Sequence, residues 1–146
     1  MQNNEIYFSD ESFASKREPG LDIALSRALL EQTSLKKYPI ILRAYKGTEQ
    51  IAFGPSDARN IGYSSAVSFV KKKKFSAVNR LTGGHAVTFH SGTLIFGWMF
   101  HDLQARSKMH YYFDYVSNFF RSVINDFGLN CFIGEIEGEY CSGQYS

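Results

Sequence analysis

Two short stretches of this 146-residue chain hold residue types able to carry a reaction. In Arg80-Leu81-Thr82-Gly83-Gly84-His85-Ala86-Val87, an arginine closing a predicted strand is followed by two glycines, which expose backbone N–H groups beside a fixed positive charge. That combination can hold a carboxylate, a phosphate or a thioester carbonyl. The same residues also suit a plain β-turn, with Gly83 and Gly84 at positive φ and Arg80 on the surface. The second stretch is the polar loop Gly138-Glu139-Tyr140-Cys141-Ser142-Gly143. A nucleophilic thiolate needs access, which Cys141 has among small polar neighbours; Cys131, between Asn130 and Phe132, has the apolar strand setting of a buried thiol. Cys141 is the candidate reactive thiol, with a structural cysteine as the alternative.

The remaining candidates are weaker. Cys131 and Cys141 stand ten positions apart, with no second pair for zinc and no CxxC redox spacing. His85 and His90 fall on opposite faces of predicted strands and do not share a metal. His101 and His110 flank a loop and a helix start. All four histidines read as structural or surface residues, His85 least so because it follows the glycines directly. Asp57 and Asp102 have no carboxylate partner at an acid–base spacing. The run Lys71 to Lys74 offers a basic surface to an acidic partner, or a solvated helix end.

Composition bounds the rest. With 13 Phe, 9 Tyr and one Trp, the body of the chain is too aromatic to be disordered and can build one core. A formal net charge of +2 gives no argument for nucleic acid. No apolar run reaches membrane-spanning length and no signal-peptide core precedes Glu11. The expectation is a cytoplasmic, reducing setting.

The elements that must position these residues follow from periodicity. Residues 1–18 are expected as a polar N-terminal segment, followed by one domain over 19–146. Leu21, Leu25, Ala28 and Leu29 mark one face of a helix from about Leu21 to Thr33, with Asp22 in the first turn, where negative charge is favoured. Tyr38 to Tyr45 and Gln50 to Phe53 read as two strands of a hairpin, the second stopped by Gly54-Pro55. Ser56 to Tyr63 is a loop or short helix, and Ser64 to Lys74 a helix. Strands are predicted over Phe75 to Arg80, His85 to Phe89 and Thr93 to Phe100. Tyr112, Val116, Phe119, Val123 and Phe127 recur at helical spacing within Ser107 to Phe127, and Gly128 supplies a stop. Leu129 to Ile136 is expected as a strand and 138–146 as a loop. No regular parallel βαβ alternation is visible. The class is α+β, a mixed, mostly antiparallel sheet with packed helices.

The order of these motifs resembles the lipoate/biotin protein ligase superfamily, and within it the cysteine-dependent octanoyl and lipoyl transferases. That branch carries Arg-x-Ser-Gly-Gly-x-Ala-Val along the acyl site and Tyr-Cys-Pro-Gly-x-Tyr around the nucleophile. Here Thr82 replaces Ser and Ser142 replaces Pro, and Phe53-Gly54 is similar to the family's Leu-Gly turn. The resemblance covers Tyr38 to the last residue. It implies a fold like the catalytic domains of class II aminoacyl-tRNA synthetases and biotin synthetases. It further implies an acyl transfer in which Cys141 takes an octanoyl or lipoyl group from a carrier domain as a thioester and passes it to a lysine of another lipoyl domain. Gly83 and Gly84 would present N–H groups to the acyl carbonyl, Arg80 would support the turn, and His85 and Ala86 would complete the binding stretch. Thr93 to Phe100 would wall an apolar slot, where burial yields about 0.8 kcal/mol per CH₂. The group transferred is the substrate; neither a metal nor ATP is needed, because a thioester is activated enough to be passed on. The implied partners are the glycine cleavage H protein and the E2 subunits of 2-oxoacid dehydrogenases.

Departures from the pattern fall at Thr88, Phe89, His90 and Ile95, which change the polar trim of the pocket. The family's Gly-Lys-Lys-x-x-Gly-x-Ala-Gln segment, whose lysine activates the cysteine, has no match before Ser146, so the expectation is a truncated product or the first part of a split one, complemented by a C-terminal chain. Three other readings stand beside transferase activity: a non-catalytic member binding an acylated lipoyl domain, a thiol hydrolase using Cys141 with His85 or His90 as base, and a lipoate-protein ligase, which works through an acyl-adenylate without a loop cysteine.

Overall fold

The protein is described by a computed structural model over residues 5–13, 17–139 and 143–145. In chain order the elements are β1 (Ile6–Glu11), α1 (Leu21–Ser34), β2 (Ile40–Lys46), β3 (Gln50–Phe53), α2 (Pro55–Ala58), α3 (Tyr63–Lys72), β4 (Ser76–Asn79), β5 (Val87–Phe89), β6 (Leu94–Met99) and α4 (Met109–Asp126). The chain divides into two compact units, Met1–His101 and Asp102–Ser146. All six strands lie in the first.

That first unit is α+β and mixed, as expected, but its pairing differs from a row of hairpins. Its strands form two sheets of three, in the orders β1-β2-β6 and β4-β3-β5. β2 and β3 do not pair with each other. Each is the central strand of its own sheet, and both of its edges are already taken. The chain passes from one sheet to the other through Gly47, whose N–H donates to the Thr93 carbonyl at 2.9 Å. A Cβ on Gly47 would lie 3.0 Å from the His90 carbonyl oxygen, so a side chain there would press on the backbone of the β5–β6 turn. Two pairs are parallel, β1 with β2 and β3 with β4, each joined through helices. These are βαβ crossovers that the sequence reading did not show. The other two pairs, β2 with β6 and β3 with β5, are antiparallel.

β1 is the second correction. Residues 6–11 were expected within a polar segment, yet they form a strand in register from Ile6 opposite Ile40 to Glu11 opposite Tyr45. Its polarity is used inside the fold. Arg43, on β2, has no exposed side-chain surface and is met on every side. Its Nε and Nη2 donate to the two Glu11 oxygens at 2.7 and 2.9 Å. Nη2 also reaches Asp22 Oδ1 at 2.5 Å, and Nη1 reaches Ser26 Oγ at 2.8 Å. Arg17 adds a second cation, 2.5 Å from Glu11 and 2.6 Å from Asp22. A buried charge is tolerated only when it is paired and hydrogen-bonded, and here strand, helix and strand each supply a partner. Asp22, expected to favour the helix dipole, is buried as part of this cluster. The buried apolar residues include Ile41, Ala44, Tyr45 and Met99 of this sheet and Ala52 and Phe53 of the other.

In the second unit α4 spans Met109–Asp126, close to the expected range, and Gly128 ends it at φ 77°. Asp102 organises the turn before the helix. It accepts from the Tyr112 hydroxyl, from the Gln104 N–H at 2.7 Å and from Lys108 Nζ at 3.1 Å. The Tyr112 hydrogen bond, with those from Gln104 and Lys108, holds its carboxyl down at about 2. Residues 129–136, expected as a strand, are not one: they have no ladder partner among the described residues, and Leu129, Phe132 and Ile136 are exposed.

Candidate active site

The site is assembled at one end of the second sheet. The parallel pair β3 and β4 brings Phe53 opposite Asn79, so the residues that follow each strand, Gly54 and Arg80, emerge side by side. The Arg80 N–H donates to the Phe53 carbonyl at 2.9 Å. Antiparallel β5 starts at that same end, with Val87 opposite Ala52. Arg80, the Gly83-Gly84 turn, His85 and Ala86 are therefore gathered where three strands meet. The sequence-predicted residues of this stretch are brought together as a group.

The turn is held by two devices. Arg80 spans it, Nη1 donating to Thr82 Oγ1 at 2.9 Å and Nη2 to the His85 carbonyl at 2.7 Å, which fixes both ends of the loop to one planar guanidinium. Gly54 backs it from below. A Cβ on Gly54 would lie 2.5 Å from the Gly84 carbonyl oxygen, a distance no side chain tolerates. Gly84 itself has φ 85°, in the left-handed region that favours glycine. Gly83 has nothing within 4 Å of its Cβ position. No described residue accepts a hydrogen bond from the N–H of Gly83 or Gly84. Two backbone donors without a described acceptor thus lie in the turn that Arg80 clamps; donors of this kind can stabilise an oxygen acquiring negative charge. Of the plain-turn alternative, the positive φ is found at Gly84 and not at Gly83; the Arg80 clamp is compatible with either reading.

Asp57 enters this group in space, although nothing in its sequence spacing suggested acid–base work. Its Oδ2 accepts the Gly54 N–H at 2.8 Å at the start of α2, and its Oδ1 lies 3.9 Å from His85 Nδ1. The signal available in the sequence was Gly-Pro-Ser-Asp, in which an acid three residues into a helix reaches back to its first N–H. Phe53 and Tyr63 meet edge to face at 5.2 Å, and the Tyr63 hydroxyl donates to Asn79 at 2.8 Å, closing the flank next to β4.

The other histidines have structural partners. His90 Nδ1 accepts the Gly92 N–H at 3.0 Å, His101 Nδ1 lies 2.7 Å from the Ser34 carbonyl, and His110 Nδ1 lies 3.4 Å from the Tyr145 hydroxyl. Cys141 lies outside the described residues. Cys131 is half-buried outside any strand, with Sγ 3.9 Å from the Arg121 carbonyl. β6, expected to wall an apolar slot, pairs with β2 in the other sheet, with Gly97 opposite Arg43. Among the described residues no group of three or more His, Cys, Asp or Glu is placed to hold a metal ion, and no helix is long and apolar enough to cross a membrane.

Against known proteins, residues 18–143 match the lipoyl protein ligase A/B catalytic domain. The octanoyl-GcvH:protein N-octanoyltransferase of Geobacillus kaustophilus is 23% identical over 122 residues, which are 84% of this chain and 43% of that protein. Among solved structures, protein Ta0514 of T. acidophilum with bound lipoic acid, assigned to the lipoate protein ligases, superposes with a TM-score of 0.69 at 17% identity. That superposition covers 97% of this chain and 55% of the other. P. falciparum LipL1 in complex with lipoate gives a TM-score of 0.51 at 16% identity, over 78% of this chain and 36% of its own. The chain spans about half the length of the relatives it matches.

Proposed function

Because the chain belongs to the family of lipoyl protein ligase A/B catalytic domains, we propose that it moves an octanoyl or lipoyl group between lipoyl carrier domains through a thioester on Cys141. The observation that carries this reading is the Arg80-clamped turn, with the Gly83 and Gly84 N–H groups unengaged by any described residue. In the first half-reaction the Cys141 thiolate attacks the carbonyl of an acyl-lysine. The C–S bond forms, the C–N bond breaks, and the lysine nitrogen leaves with a proton. During the attack the carbonyl oxygen becomes an oxyanion, which backbone N–H donors of the kind unengaged at Gly83 and Gly84 can stabilise. The second half-reaction is the reverse, on a different lysine. The exchange replaces one amide by another, so it draws on no nucleotide and no metal. Arg80 holds the turn in shape and adds positive charge nearby. Ala86, half-buried, immediately precedes β5 and closes the motif.

The partners on this reading are lipoyl carrier domains. The Geobacillus relative is named for GcvH, which supports an H-protein carrier as donor; E2 domains are the corresponding acceptors. The test is intact-protein mass spectrometry after mixing the chain with octanoylated carrier, beside Cys141→Ser. An octanoyl mass gained by the wild type alone and removed by hydroxylamine is the expected result. A folded chain that gains no mass refutes the reading, and an adduct that requires ATP and free octanoate or lipoate moves the protein to ligase chemistry.

A further inference from the structure

The run Lys71 to Lys74 takes no part in the glycine turn or in the buried ion cluster. All four side chains are exposed, and no described carboxylate lies within ion-pair distance of them. They close α3, which carries no acid of its own. A cation in the last turn of a helix suits its dipole, but four in succession exceed that need and repel one another. The rest of the outer face also differs from an ordinary solvated helix. Ser64, Ser65, Ser68 and Phe69 share it with Lys72 and line a shallow depression of about 400 Å³. Phe69 is 61% exposed, and Lys73 Nζ stands 5.6 Å from its ring centre. Small hydroxyl side chains admit a close approach, the exposed ring offers an apolar anchor, and the cations bound the patch at one end. That is the make-up of an interface with a charged rim.

The same helix leads to the turn. The hydroxyl of Tyr63, its first residue, donates to Asn79, which precedes Arg80. At the other end the Phe75 N–H donates back to the Val70 carbonyl at 3.2 Å, and the chain enters β4. α3 therefore runs opposite to β4, with its first turn at the Arg80 end and its lysines at the far end. Its ten residues, at 1.5 Å each, make a track about 15 Å long. A folded domain of about 100 residues has a radius of gyration of about 13 Å, broad enough to lie along α3 with one of its lysines at the Gly83-Gly84 turn. We propose that the outer face of α3 is the docking surface for the acyl carrier domain, with Lys71 to Lys74 facing carboxylates that lie about 15 Å from the carrier's acyl-lysine. This rests on the acyl-transfer reading above and names the charge its partner must carry: an acidic patch at that distance from the modified lysine. The pairs stand at a solvated rim, so they act chiefly on the rate of encounter and on its dependence on salt.

The probe is octanoylated glycine cleavage H protein, with association and dissociation rates measured against salt. Combining Lys71→Gln, Lys72→Gln and Lys73→Gln is expected to weaken binding about tenfold or more at about 0.05 M salt, mainly through slower association. Glu at the same three positions should weaken it further. At about 1 M salt, where charges are screened within about 3 Å, wild type and variants should converge; damage to the fold would persist there. On the wild type, a zero-length carbodiimide, which joins an amine to a carboxylate in contact with it, should link Lys71 to Lys74 to Asp or Glu of the H protein. Equal affinity of wild type and variants at low salt, a loss that survives high salt, or crosslinks confined to other lysines overturns the assignment. Tighter binding of a DNA duplex than of the H protein at low salt overturns it in favour of a nucleic-acid partner. A wild type that does not bind the H protein also overturns it. Loading from a small octanoyl thioester then separates the two failures: if loading persists, the thioester reading stands and the docking surface falls, and if it is absent, both fall.

Discussion

Replacing Glu11 by Gln tests whether the buried ion cluster holds the first strand in place. Glu11 accepts two hydrogen bonds from Arg43, at 2.7 and 2.9 Å, and its side chain is 15% exposed. These bonds, with those from Ser9 and Arg17, outweigh burial and pull its carboxyl from 4.5 down to about 2. At about 1.4 kcal/mol per pKa unit the depression corresponds to about 3 kcal/mol of stability. The independent expectation for breaking one partner out of a buried pair is about 3–5 kcal/mol. The sign follows from which state holds the proton. Between pH 4.5 and 2 the unfolded chain binds a proton at Glu11 that the folded chain refuses, so this contribution is fully present above about pH 4.5 and is lost as pH falls towards 2. Urea unfolding followed by Trp98 fluorescence, on wild type and Glu11→Gln at pH 7, 5 and 3, should give a difference near 3 kcal/mol at neutral pH that shrinks at pH 3. A difference below about 1 kcal/mol at pH 7, or one that does not change with pH, would show that the cluster is as weak as a surface pair.

Arg80→Lys keeps the charge but cannot reach both Thr82 and the His85 carbonyl; losing one such bond is worth about 1.5–3 kcal/mol, and octanoyl loading should slow roughly 10- to 100-fold. Loading at the wild-type rate would mean that the clamp is irrelevant. Gly54→Ala puts a methyl 2.5 Å from the Gly84 carbonyl, so the turn must shift. A destabilisation of about 1–3 kcal/mol by denaturant titration, together with loss of loading in a chain whose circular dichroism is unchanged, is the expected pair of results. Tyr112→Phe removes the largest cause of the depressed Asp102 pKa, and carboxyl NMR should show its midpoint rising from about 2 towards 3.8.

How much of this was legible depended on where the information resides. The helices α1 and α4 were visible because their periodicity is local, and Gly128 stopped α4 where the sequence placed it. Arg80 to Ala86 could be named as a group because their chemistry is contiguous along the chain. β1 was hidden because Ser9 and Glu11 look like surface residues until Arg43 is known to meet them, and Arg43 is 32 positions away from Glu11. The partner of β3 was hidden for a similar reason. Gln50 to Phe53 declares itself as a strand, but whether it pairs with the preceding strand or with β4 and β5 is set by contacts that no short window contains. Residues 129–136 fail in the opposite direction: they are apolar enough for a strand, yet composition alone supplies no ladder partner.

The parallel pairing that the sequence reading did not show is also what brings the candidate residues together. Had β3 and β2 formed a hairpin, Gly54 would follow an edge strand with no obligation to meet Arg80. Because β3 and β4 run the same way, their carboxyl ends coincide, and Gly54 and Arg80 leave the sheet together. Open sheets with parallel strands place ligands at that end, where successive loops face one another and backbone N–H groups are not consumed by the ladder. β5 then enters antiparallel from the same end, so the loop joining β4 to β5 folds over the Gly54 backbone. The crossover from β3 to β4 contains α2, and α2 supplies Asp57. The same connection that aligns the two strands therefore delivers the carboxylate that faces His85.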